Sequence, residues 1–163
     1  MFEKREGEAA LFADPADLAP DGHVVFIGRI RSAWATREAC PKNMRQAREK
    51  GGEATIEIDE PYRPGLLGLA EVTHVVVLTW LDKASRNLIV QKPRHAEKAK
   101  GVFALRSPIR PNPVGLHIAR LVSVDMDEGR LVLDAIDVLD GTPVIDLKPY
   151  IARVDAFADA EFE

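Results

Sequence analysis

Hydrophobic and polar positions alternate along this chain in short runs, punctuated by glycine and proline instead of gathered into long amphipathic helices. Residues 23–32 (HVVFIGRIRS) alternate and predict a strand with Val25, Ile27 and Ile30 on its core side. A long polar connection follows, in which residues 44–50 are expected to form a turn or two of helix stopped by Gly51 and Gly52. Residues 54–58 (ATIEI) alternate again and are ended by Pro61 and Pro64; residues 66–69 (LLGL) are short and apolar. The strongest strand pattern is residues 72–81 (VTHVVVLTWL), whose continuous valine-rich run predicts burial on both faces, as in a barrel stave or a strand at a subunit interface. Further strands are expected at residues 87–91 and 101–105 (GVFAL), and in a hairpin of residues 117–125 and 131–138 across the turn MDEGR. Residues 143–149 (PVIDLKP) form a last extended piece. The pattern predicts a mainly β fold: a small antiparallel β-barrel with short helical turns and long loops, closed because closure hides the strand edges. Residues 1–22 show no sustained period and read as a flexible N-terminal extension, which leaves residues 23–163 as the barrel domain.

Composition adds limits. At 163 residues the chain is one domain's worth, and 46% hydrophobic with 29% charged residues belongs to an ordinary soluble protein. No apolar run approaches the roughly 18 residues that span a bilayer, and the acidic start lacks a signal peptide's apolar centre. A single cysteine, Cys40, forbids an internal disulfide and suits a reducing cytoplasm, so a cytoplasmic location is expected. Charge is unevenly spread. Between Lys83 and Arg120 nine Lys or Arg face one acid, Glu97, giving +8, while the whole chain carries −4 and the remainder therefore −12. Such asymmetry fits a basic face for a polyanion; a solvated lysine-rich loop is the plainer account.

Two stretches carry the candidate chemistry. In residues 106–121 (RSPIRPNPVGLHIARL) three prolines fix the backbone as a stiff extended loop that displays Arg106, Arg110 and Asn112. Composition alone favours a proline-rich turn, but two arginines and an amide held rigidly also suit phosphate, carboxylate or a nucleobase. Residues 137–150 (DVLDGTPVIDLKPY) place the turn Asp140-Gly141-Thr142 before Asp146, Lys148 and Tyr150, which alternate and would share one strand face. Together these three can bind a polar ligand or shift one another's pKa for proton transfer; as a surface strand they would only form a Lys–Asp ion pair. His74, inside the valine-rich run, reads as a satisfied core histidine. His23, His95 and His117 have no metal-ligand spacing, so no metal is expected. The GxSxG elbow, the Walker loop and the GxGxxG fingerprint are all missing.

GVFALRSPIRPNPVGL and DVLDGTPVIDLKPY, with IGRIRS, GLAEVTHVVVL and PRHAEKAKG upstream, resemble the TsaA/TrmO family over residues 23–155. The resemblance implies a small β-barrel that binds S-adenosylmethionine near the interface of a homodimer. It also implies methyl transfer to the exocyclic amine of threonylcarbamoyl-adenosine beside the anticodon of tRNA. Cofactor contacts are implied at Asn43, Met44 and Arg45, at Asp82 and Lys83, and at Arg106, Leu116, Asp140, Gly141 and Thr142. Arg110 and Asn112 fall to the substrate, and the general base to Asp146, Lys148 or Tyr150. This chain departs from the family at CPKNMRQ and at Asp82-Lys83, where backbone contacts are what would persist. A binding module without turnover, or a different methyl acceptor, stays open beside that implication.

Overall fold

The computed structural model describes residues 4–92 and 97–161, so Arg94 of the cationic segment, His95 and the PRHA stretch lie outside the described residues. Among the described residues nine strands run in chain order: β1 (Ala9–Ala10), β2 (Gly28–Ser32), β3 (Ala54–Ile58), β4 (His74–Trp80), β5 (Leu88–Gln91), β6 (Lys100–Gly101), β7 (Val114–Asp125), β8 (Arg130–Leu133) and β9 (Pro143–Pro149). Two short helices, α1 (Met44–Lys50) and α2 (Ala152–Asp155), and 3₁₀ turns at Glu60–Leu66, Leu69–Glu71 and Val102–Ala104 complete the described elements. The chain divides into two units, residues 1–24 with 80–115, and residues 25–79 with 116–163.

Six strands close into an antiparallel barrel in the order β2-β3-β8-β7-β4-β9. Closure follows from register: β2 pairs with β3 from Gly28↔Ile58 to Ser32↔Ala54 and, at its start, with β9 through Gly28↔Val144. Gly28 is required there, because a Cβ would stand 2.1 Å from the Glu57 carbonyl oxygen. Ile30, Ile56, Val75, Val77, Leu131 and Val144 point inward and are fully buried. The hairpin of β7 and β8 turns at Gly129, whose φ of +67° an L side chain rarely adopts.

The first unit holds a three-stranded sheet of order β1-β5-β6. Ala9 and Ala10 pair with Val90 and Leu88, and the Glu8 carboxylate accepts from the amides of Arg5 and Lys92, at 3.0 and 3.1 Å. Those two backbone donors, with the Arg5 guanidinium, hold the Glu8 carboxyl down at about 2.

Several expected elements differ. The strand predicted at 23–32 begins only at Gly28; Val24 and Val25 are more than half exposed, and Val25 is not core, because both ladders that hold β2 begin at Gly28. Residues 101–105 do not form a strand: β6 reaches only Gly101, and Val102–Ala104 coils into a 3₁₀ turn closed by the Leu105 amide on the Val102 carbonyl. The second hairpin strand stops at Leu133, where the Asp134 side chain takes the Arg120 amide at 2.8 Å. Along β4 burial alternates, with Val75, Val77 and Thr79 sealed inside and the other face half-buried. His74 therefore sits on the outer face beside Tyr150, their rings edge to face with centroids 6.4 Å apart, and is no core residue.

Candidate functional site

The segment after β8 is fixed from below, carbonyl by carbonyl. The Trp34 indole Nε1–H donates to the Ile136 carbonyl (2.8 Å), the Ser32 hydroxyl to Val138 (2.9 Å), the Thr142 hydroxyl to Leu139 (2.7 Å) and Arg29 Nη1 to Gly141 (3.1 Å). The amides of Asp140 and Gly141 donate in turn to the carbonyls of Trp34 and Ile30, each at 2.9 Å. Asp140 accepts the Ser32 amide with one carboxylate oxygen, while its residue stays exposed. Gly141 takes φ +78°, and nothing lies within 4 Å of where a side chain would stand. The turn is thus a rigid shelf with a carboxylate at its edge and bare backbone on its open side, a surface a ligand can lie against.

Below the shelf stands an arrangement that spacing alone did not reveal. His117 is buried on β7; its Nδ1 donates to the Asp137 carboxylate at 2.6 Å, and its Nε2 meets the fully buried Thr79 hydroxyl at 3.0 Å. Both ring nitrogens are satisfied, which makes His117 the barrel's core histidine. Its legible signal was the alternation of β7, which sends residues 117, 119 and 121 inward together. Cys40 donates its thiol to the Asp137 carbonyl at 3.5 Å, and burial, then the neighbouring Asp137 charge, pushes it up to about 11.

The other predicted site residues fall as follows. In the second unit Asn43 caps α1, its Oδ1 accepting the Gln46 amide at 2.9 Å; Met44 is half-buried, and Arg45 is exposed and loosely paired with Glu49 at 3.6 Å. Leu116 stands on the outer face of β7, 47% exposed. In the first unit Asp82, Lys83 and Arg106 are exposed. Arg110 turns back on its own loop, Nη1 donating to the Leu105 and Ser107 carbonyls at 3.1 and 3.4 Å. Asn112 accepts from Arg86, which also donates to Pro111 at 2.6 Å and lies 5.5 Å over the Trp80 ring. The Gln91 amide donates to Ile109 at 2.6 Å, so the proline loop is held along its length by side chains in place of a ladder.

Asp146 and Lys148 share β9 and pair at 3.2 Å, both partly exposed; Tyr150 lies just past the strand. Asp146 also lines a cleft of about 480 Å³ in the second unit, walled by Ile58, Leu66, Leu69, Val72 and Leu147. Among the described residues no group of three or more His, Cys, Asp or Glu stands close enough for a metal ion, and no helix is long and apolar enough to cross a membrane.

The six-stranded closed barrel with its clasped Asp-Gly-Thr turn defines a small antiparallel β-barrel domain. The chain belongs to the family of the tRNA-methyltransferase O N-terminal domain, whose model matches residues 29–156. It is 38% identical over 136 residues to an Archaeoglobus fulgidus protein named "Probable S-adenosyl-L-methionine-binding protein", covering 83% of this chain and 36% of that one. It is 40% identical over 140 residues to a Pseudomonas aeruginosa protein named "Putative S-adenosylmethionine-dependent methyltransferase", covering 82% and 59%. A crystal structure of TrmO superposes with a TM-score of 0.71 at 35% identity, covering 88% of this chain and 64% of that one. In each of the three the chain spans less than two thirds of its relative's length.

Proposed function

We propose that this chain binds S-adenosylmethionine and transfers its methyl group to tRNA, with the exocyclic amine of threonylcarbamoyl-adenosine beside the anticodon as acceptor. The observation that carries the cofactor is the shelf at residues 140–142, in a family whose relatives bear S-adenosylmethionine in their names. The residues present fit the group. The cofactor offers an ammonium, a carboxylate, ribose hydroxyls and an adenine; Asp140 suits the ammonium or the hydroxyls, and the bare backbone at Gly141 admits close approach. The assignments of Arg106, Asp82 and Lys83 to the cofactor are carried by the family resemblance, with Arg106 suited to a carboxylate. When bound, the cofactor would supply an electrophilic methyl, its sulfur keeping the electron pair of the bond given up. What the chain adds is alignment of the two partners and a place for the proton the nitrogen gives up.

The cationic run from Lys83 supports a polyanionic partner. A homodimer is supported by the outer face of β7, where Val114, Leu116, Ile118 and Val122 are apolar and 37–59% exposed. A cytoplasmic location accords with a tRNA substrate and a single thiol. A second reading, cofactor binding without turnover, draws on the Asp146–Lys148 ion pair, which engages two of the three candidate bases with each other. Labelled S-adenosylmethionine incubated with tRNA, protein and metabolite fractions separates the readings. Label in tRNA supports the enzyme, and cofactor binding with label in no fraction supports the module.

A further inference from the structure

We infer that the cleft beside β9 is the seat of a purine presented by the RNA, and that Asp146, rather than Lys148 or Tyr150, is the group that meets its exocyclic amine. This rests on the reading that the chain acts on RNA, but the cleft's own features carry the assignment. Its volume of about 480 Å³ falls within the range of small-molecule sites. Ile58, Leu66, Leu147 and Pro149 are among its apolar lining, so the cleft favours flat apolar faces over hydrated groups. Among the described residues Asp146 is the one charged residue of the lining, and of the three candidate bases it alone reaches the cleft. A carboxylate only accepts hydrogen bonds, so it calls for a ring that carries an N–H donor; an aliphatic chain would desolvate it with nothing in return. It accepts the Leu147 amide with one oxygen and Lys148 with the other, which leaves lone pairs on both for a third donor.

The rest of the lining fits the same occupant. Gly65 and Gly68 line the cleft with nothing within 4 Å of where side chains would stand, and Tyr62, a 39% exposed residue of the same lining, offers a ring for stacking. Lys148, exposed next to Asp146, adds the cation that a sugar–phosphate chain needs at the rim once its base has left the stack. With the base seated, Asp146 accepts from the exocyclic N–H and is placed to take that proton as the nitrogen is alkylated, becoming a neutral carboxylic acid.

The test is titration of the full chain, isotopically labelled on its methyl groups, with adenosine, N6,N6-dimethyladenosine and, separately, S-adenosylmethionine. Adenosine is expected to shift the methyls of Ile58, Leu66 and Leu147. The dimethylated nucleoside, which has no N–H to offer, should bind about tenfold more weakly, and Asp146→Ala should weaken adenosine by about the same factor. Gly65→Trp, whose side chain projects into open space, should abolish these shifts while leaving S-adenosylmethionine binding in place; Gly65→Ala, as the folding control, should leave both intact. Adenosine shifts outside the cleft, equal binding of the two nucleosides, or indifference to Gly65→Trp overturns the inference. So does conversion of a dimer to monomer by Gly65→Trp, which would make the cleft a seat for a second copy. Loss of all methyl transfer to RNA in a chain that still seats adenosine here would instead count against the proposed function alone.

Discussion

Thr79, His117 and Asp137 form a hydrogen-bonded polar line inside the barrel, and the cost of breaking it should show in stability. His117→Ala leaves the Asp137 carboxylate partly buried without its partner and is expected to destabilise the fold by about 3 kcal/mol, read from chemical denaturation. Thr79→Val keeps the shape and removes the hydroxyl at Nε2, a loss of about 1–2 kcal/mol. Cys40 belongs to the same neighbourhood. With its thiol raised to about 11 by burial and by Asp137, it stays protonated at neutral pH. Iodoacetamide should therefore label it slowly at pH 7.5 and markedly faster only as the pH approaches 11; rapid labelling at pH 7.5 would contradict the packing described.

Among the elements, α1 is the clearest case of local sequence deciding local structure. Asn43 caps it and Gly51, at φ +65°, ends it, so the span Met44–Lys50 was legible from residue types alone. Asn43→Ala should cost about 1 kcal/mol of stability. β3 and β9 were equally legible, because alternation and flanking prolines mark their ends. The strands misread were those whose extent depends on a partner. Val24 and Val25 have strand-forming side chains but lie beyond both of β2's ladders, and the residues after Gly101 have strand composition beyond the end of a four-residue β5. Alternation states what a segment would do if paired; pairing is decided elsewhere in the chain. The N-terminal segment gives a test at this scale. Glu8, lowered from 4.5 to about 2, contributes stability that is complete above pH 4.5 and is lost as the pH falls toward 2. The protection factors of the Ala9 and Ala10 amides, taken relative to intrinsic exchange at each pH, should fall across that window, and in Glu8→Gln they should be low and nearly flat with pH.

At the scale of the whole molecule, family and site were legible to different degrees. The motifs RSPIRPNPVGL and DGTPVIDLKPY are long enough to point to the family, and the family match bears this out. Their residues' roles were not legible, since the same arginine can hold a ligand or its own loop. Arg110 donates to Leu105 and Ser107, a choice set by how residues 105–110 curl back on themselves. Arg110→Ala is accordingly expected to loosen the proline loop, seen as faster amide exchange over residues 105–110. The cationic segment predicts RNA affinity that falls by about one to two orders of magnitude between 50 and 200 mM salt. The central claim, methyl transfer from S-adenosylmethionine to tRNA, is tested most directly by incubating the chain with methyl-labelled cofactor and tRNA that carries threonylcarbamoyl-adenosine. The account predicts one labelled methyl per modified adenosine, lost in Arg106→Ala together with cofactor binding; tight cofactor binding with no label in the tRNA would contradict it.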